Sequence, residues 1–95
     1  MKNYIICYDL RSRGHDYDAL VDYLETYPTR WHVLNSMWIV GPADSALAVA
    51  QGVRAHLGKD DKLFVQPLTH ESAWCGFDEN GSNFFRSARA VLAES

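Results

Sequence analysis

The 95-residue chain carries 12 acidic and 9 basic residues, a formal net charge of −3, which excludes gripping nucleic acid through an overall basic surface and confines any such role to a local patch. Its 47% hydrophobic content, with three Trp, five Tyr and four Phe, excludes a disordered chain, and its length allows one core, so a single domain over 1–95 is expected, with a core over 1–78 and a helical extension over 79–95. No run approaches the roughly 20 apolar residues of a membrane span, Met1-Lys2-Asn3 leads into a strand rather than a signal sequence, and Cys7 and Cys75 lack a CxxC spacing; a cytoplasmic protein is expected, with no membrane partner and two reduced thiols, one of them buried.

Asn3 to Asp9 reads as a strand with Ile5 and Cys7 on one face and Tyr4, Ile6 and Tyr8 on the other, apolar on both sides as a central strand is. From Asp16 the period becomes helical, with Tyr17, Leu20, Val21, Leu24 and Tyr27 on one stripe, Asp16 as the cap and Pro28 as the stop. Arg30 to Asn35 and Met37 to Gly41 form two strands of a tight hairpin turning at Asn35-Ser36. Asp44 opens a second helix through Leu57, with Ala46, Ala50, Val53 and Leu57 facing inward, Gly58 as its stop, and Gly52 inside it at a cost of about 1 kcal/mol relative to Ala.

Lys62 to Leu68 is the fourth strand, placed at an edge by Pro67. Glu71 to Phe77 is expected to add a short fifth strand, Asn80-Gly81 a turn, and Ser82 the cap of a last helix whose stripe is Phe85, Ala88 and Leu92. Right-handed crossovers fold this β-α-β-β-α-β order into an α+β, ferredoxin-like sandwich. Its four-stranded antiparallel sheet, ordered 4-1-3-2, has two helices on one face. The other face is expected to stay bare, with Tyr4, Ile6, Tyr8, Trp31 or Trp38 on it, and a face-to-face homodimer would cover it.

In that topology Asp9, the loop from Leu10 to His15, Asn35-Ser36 and Asp60-Asp61 meet at one end of the sheet. A strand-end carboxylate near other oxygen donors suits Mg²⁺ or Mn²⁺, which would activate water against a phosphodiester, and two-fold symmetry could pair two Asp9 side chains. Asp9 fits equally a carboxylate capping the loop that follows it. Arg11 and Arg13 flank Ser12 and could bind phosphate oxygens or simply be solvated. His15 is an acid–base candidate or a surface residue. Asp60-Asp61 reads as a solvated turn. Trp31-His32 and Trp38 could stack on bases, although core or dimer-interface roles suit aromatic residues better. Arg86 and Arg89 make a small basic strip on the last helix. His32 and His70 show no zinc-ligand spacing with the cysteines, and no nucleotide-loop or serine-hydrolase pattern occurs, so no organic cofactor is expected.

The run Tyr4-Ile5-Ile6-Cys7-Tyr8-Asp9-Leu10 resembles the first strand of the CRISPR-associated small endoribonucleases, the smaller subunit of the spacer-integration complex. That resemblance implies a ferredoxin-like homodimer with Asp9 as metal ligand. Asp16-Tyr17, Trp31-His32, Ser36-Met37-Trp38 and Ala73-Trp74-Cys75-Gly76-Phe77 are similar to motifs of the short bacterial SinR-family proteins, distinct from the helix-turn-helix regulator of similar name; the likeness runs from Lys2 to Phe77. The virulence-associated protein D toxins, which cleave RNA, are related in fold.

The expected function is therefore a Mg²⁺- or Mn²⁺-dependent endonuclease acting on RNA or DNA, with Asp9 as metal ligand and catalytic residue, His15 as acid or base, and Arg11, Arg13 and Ser36 as substrate contacts. The alternative is a non-catalytic dimeric module that binds nucleic acid or a protein partner in a defence or toxin–antitoxin system. A third reading, a small-molecule or nucleotide sensor, would use the same loop arginines and tryptophans.

Overall fold

A strand that is apolar on both sides must be covered on both sides, and β1 (Lys2–Asp9) lies in the interior of the sheet. In this computed structural model, which describes residues 1–69 and 71–94 with side chains as far as residue 86, there follow α1 (Asp18–Leu24), β2 (Thr29–Leu34), β3 (Met37–Ala43), α2 (Ala46–Arg54), β4 (Lys62–Pro67) and α3 (Glu79–Glu94). The four strands make one antiparallel sheet in the order β2-β3-β1-β4. The architecture is α+β, and the expected strand order, with β1 and β3 central and β4 at an edge, is observed. The hairpin turns at Asn35-Ser36 as expected.

Both early helices are shorter than their sequence periods. Asp16 accepts the Asp18 N–H at 2.9 Å, but the helix itself begins only at Asp18. Within α1, Leu20 and Leu24 are buried while Val21 is exposed, and Tyr23 joins Tyr17 and Tyr27 against the core in its place. Ser45, not Asp44, caps α2, its hydroxyl accepting the Ala48 N–H at 3.0 Å. Gly52 has a packing reason: a Cβ there would overlap the Tyr23 hydroxyl, so the glycine lets α2 close onto α1.

Tyr4, Ile6, Trp38 and Val40 from the sheet pack with Leu20, Leu24, Val49 and Val53 from α1 and α2 into one core. Tyr8 packs against the same core, so the expectation that Tyr4, Ile6, Tyr8 and Trp38 lie on the helix-free face is corrected. In the β2–β3 register Trp31 faces Ile39 and His32 faces Trp38, which puts the two tryptophans on opposite faces.

The second face is not bare. Val33 and Ile39, with Ile5, Trp31 and Met37 beside them, pack against Leu68, Trp74, Phe77, Phe84 and Phe85 of the same chain. Trp31 sits at the centre, its ring 5.4, 4.9 and 5.2 Å from those of Phe77, Phe84 and Phe85. The fifth strand expected over Glu71 to Phe77 does not form among the described residues, because this segment crosses the face and spends its aromatic residues on packing rather than pairing with an edge. Nor is Asn80-Gly81 a turn. Asp78 receives the Gly81 N–H on its carboxylate at 2.8 Å and starts α3 four residues earlier than a Ser82 cap would. Gly81 lies there because a Cβ would press on the Trp31 ring.

No helix among the described residues is long and apolar enough to cross a membrane. Cys7 is half-buried and Cys75 exposed, and both are unpaired. His70 and the side chains of Ala88, Arg89 and Leu92 lie outside the described residues.

Candidate functional site

The end of the sheet at which β1 finishes is assembled from three connections. Asp9 stands opposite Lys62 at the start of β4, and the Tyr8 N–H reaches the Ser36 carbonyl of the hairpin turn at 3.1 Å. The loop after β1 is joined to the turn between α2 and β4 chiefly through the side chain of Asp61. One carboxylate oxygen of Asp61 accepts the N–H groups of Arg11 at 2.6 Å and Ser12 at 3.0 Å, and the other accepts that of Gly58 at 2.7 Å. The Tyr17 hydroxyl lies 2.7 Å from both oxygens.

Ser12 Oγ in turn accepts the Asp60 N–H at 3.1 Å. Gly58 permits the approach, since a Cβ there would overlap the Ser12 side chain. Partial burial pushes the Asp61 carboxyl up, but the hydrogen bonds from Arg11, Tyr17, Gly58 and Ser12 outweigh it and hold Asp61 well below the usual carboxylate range. Burial, then the bond to Asp61, pushes the Tyr17 hydroxyl up. Asp61, read from the sequence as part of a solvated turn, is thus the tie between two loops.

Arg11 places its Nε 2.7 Å from Asp9 Oδ2, with both side chains about half exposed. This is the one ion pair among the described residues. Residues 11–15 and 58–60 line a groove of about 550 Å³ between the two loops, so Arg11, Arg13 and His15 are brought together as expected and Lys59 joins them. His15 directs its Nε2 to the His56 carbonyl at 2.9 Å, so that nitrogen is the donor, and its ring meets the Tyr17 ring edge-on at 4.8 Å. Its anchoring is to the end of α2.

Ser36 is exposed at the hairpin and reaches β1 through its carbonyl; it is not part of the groove lining. Near it, Trp38 Nε1 donates to the Tyr8 hydroxyl at 3.0 Å, and His32 stacks on Trp38 at 4.5 Å and bonds the Asn35 carbonyl at 3.0 Å. Trp38 is therefore a core residue rather than a stacking platform.

A Mg²⁺ or Mn²⁺ ion at the end of β1 would find one carboxylate, Asp9, with an oxygen already bonded to Arg11. Among the described residues no three His, Cys, Asp or Glu side chains cluster as metal ligands. Such an ion would take Asp9 together with waters and substrate phosphate oxygens, an arrangement Mg²⁺ accepts, or a second Asp9 from another copy. The topology expected from the sequence places Asp60-Asp61 beside the loop from Leu10 to His15, as observed, but reads Asp61 as a solvated turn and gives Tyr17, Gly58 and Lys59 no role at the site; the Gly58 helix stop followed by acidic residues was the available signal. The chain matches no protein-family model, no curated protein and no solved structure.

Proposed function

We propose that this chain is a small nucleic-acid-interacting protein with the ferredoxin-like arrangement of the CRISPR-associated small endoribonucleases, and that it binds phosphodiester backbone at the end of β1 as a non-catalytic module. The observation that carries this reading is the Asp9–Arg11 pair. Asp9 takes the Arg11 Nε and so orients the guanidinium, whose two terminal amino groups remain for phosphate oxygens in the forked geometry that arginine offers. The strand order, with β1 and β3 central, supports the ferredoxin-like arrangement. A defence or toxin–antitoxin setting follows from the family resemblance alone.

A second reading, Mg²⁺- or Mn²⁺-dependent cleavage of RNA or DNA, is favoured by the half-exposed position of Asp9 at a strand end. The ion would polarise the phosphoryl group and activate water, while Asp9 held it and Arg11 turned to the phosphate. This reading asks more of the chain, because Arg11 must release Asp9 and a second copy would have to bring a further carboxylate. The reason to expect a face-to-face homodimer is also weakened, since the chain's own C-terminal segment covers that face.

Binding and cleavage of labelled single-stranded RNA, single-stranded DNA and duplex DNA, in Mg²⁺, Mn²⁺ and EDTA, separate the two. The binding reading expects association that survives EDTA, weakens in Arg11→Ala and persists in Asp9→Asn. Metal-dependent cleavage abolished by Asp9→Asn would replace it with the nuclease. A folded protein that associates with none of the three substrates would sink both.

A further inference from the structure

The Asp9–Arg11 pair accounts for one arginine of the groove and leaves two cations unexplained. Arg13 and Lys59 are exposed, form no ion pair among the described residues, and come from two loops, far apart in sequence, that Asp61 ties together. On a chain of net charge −3, Arg13 and Lys59 converge with Arg11 on one groove, a local concentration of cations. Three carboxylates oppose the three cations, each in a different state. Asp9 is neutralised by Arg11, Asp61 directs both oxygens to hydrogen bonds that join the loops, and Asp60 remains as the one unpaired carboxylate in the lining. His15 adds a ring whose Nε2 is anchored to His56, leaving Nδ1 as its other polar atom.

Resting on the nucleic-acid reading above, we propose that the groove between the β1–α1 loop and the α2–β4 turn is a phosphate subsite formed by Arg13 and Lys59 beside Arg11, with Asp61 as the positioning residue that holds its two walls together. The site takes phosphate groups carried by a nucleic-acid strand; free phosphate shares the chemistry and serves as the probe that separates the sources. Asp61 touches no ligand. It acts by fixing the backbone at Arg11 and Ser12 against that at Gly58, so that the two loops need no further backbone ordering and binding costs only the side-chain freedom of the cations.

The test is fluorescence-anisotropy binding of labelled single-stranded RNA and DNA over a salt series, with amide NMR spectra recorded during an inorganic phosphate titration. For the double variant Arg13→Ala/Lys59→Ala, affinity should fall about tenfold or more and the slope of log K against log salt should shrink by about 1.4, two contacts' worth for a single strand. Asp61→Asn should also shrink the slope while still melting cooperatively. A merely structural Asp61 would lower the melting temperature and leave the slope of the folded protein unchanged, which would overturn its positioning role. Should Asp61→Asn not fold, Tyr17→Phe removes one donor from the same carboxylate and is read the same way. Inorganic phosphate should shift the amides of residues 11–15 and 58–60. Unaltered oligonucleotide binding in the double variant would overturn the subsite while the nucleic-acid reading stands. Phosphate shifts in the groove without oligonucleotide binding would overturn the nucleic-acid reading and uphold the subsite; neither signal would remove both.

Discussion

The two faces of the sheet are covered by different means. On one, α1 and α2 lay short aliphatic stripes over Tyr4, Ile6, Trp38 and Val40, and six side chains of that cover, Ile6, Leu20, Leu24, Val40, Val49 and Val53, are essentially without solvent contact. On the other, a segment without regular structure and the first turns of α3 lay aromatic rings over Val33 and Ile39, and most of the participants are only half-buried. The first cover is built into the β-α-β crossovers and cannot leave without unthreading the sheet. The second comes from a segment that follows β4 and, among the described residues, joins no two strands of the sheet. A cover of that kind is drawn from the low-stability end of a domain and can open locally while the sheet persists.

The comparison breaks if both covers fail together. The largest effect is expected from Trp38→Ala, which empties the α1/α2 side of its largest side chain and removes the N–H that the Tyr8 hydroxyl accepts; about 3–5 kcal/mol is the usual cost, a large part of the stability of a domain this small. Urea unfolding should shift as a whole. Phe85→Ala removes the ring that Trp31, Trp74 and Phe77 share. It should cost less, about 2–3 kcal/mol, because the segment can detach before the sheet does. Hydrogen exchange should quicken in α3 well before β1 and β3. Equal acceleration in all of them would show one cooperative unit and remove the distinction.

Each cover is seated by a glycine, and these sharpen the contrast. In Gly52→Ala the new methyl group meets the end of Tyr23, a half-buried side chain able to shift, and a helix-propensity gain of about 1 kcal/mol offsets the strain, so the change should be close to neutral. In Gly81→Ala the methyl group meets the Trp31 ring, which is hemmed in by Phe77, Phe84 and Phe85. A loss of about 1–3 kcal/mol is expected, as for overpacking. Thermal melts of the two variants check the order, and a Gly52→Ala protein less stable than Gly81→Ala would reverse it.

The sequence carried the strand periods, the hairpin and, through the handedness of crossovers, the strand order. It did not carry the relative register of β2 and β3. Trp31 and Trp38 both read as large apolar residues seeking cover, and only pairing opposite Ile39 and His32 assigns them to different sides. The C-terminal segment was misread for a related reason: Trp74 and Phe77 have strand-like character, yet the demand of a bare sheet face outweighs β propensity. At the site, Asp9, Arg11, Arg13 and His15 were legible because they are consecutive after one strand. Topology placed Asp61 beside them, but its tying role was not legible, because its three N–H donors and one hydroxyl lie in part 44 to 50 residues away, and an aspartate after a helix stop looks the same whether it caps its own turn or ties two loops.

Acid offers the finest division between the covers, and the smallest expected effect. Asp61 ties the loop leading into α1 to the turn leaving α2, so its carboxylate belongs to the first cover; the aromatic contacts of the second do not titrate. Its folded carboxyl is held below the ordinary value of 3.8. Its contribution to stability is therefore complete above about pH 4 and is lost as the pH falls further, because the unfolded chain takes up the proton first. Tyr17, pushed up by burial and by Asp61, has the opposite sense: its contribution is present below its ordinary value of 10.0 and fades as the pH rises past it. Solvent screening keeps both effects modest. Asp61→Asn should flatten the acid limb between pH 4 and 2 while leaving the stability at pH 7 lowered, and amide exchange measured near pH 3 should quicken around residues 11–17 before α3 responds. An acid limb of unchanged steepness in the variant would mean that other carboxylates, such as the Asp78 that starts α3, set the acid response instead.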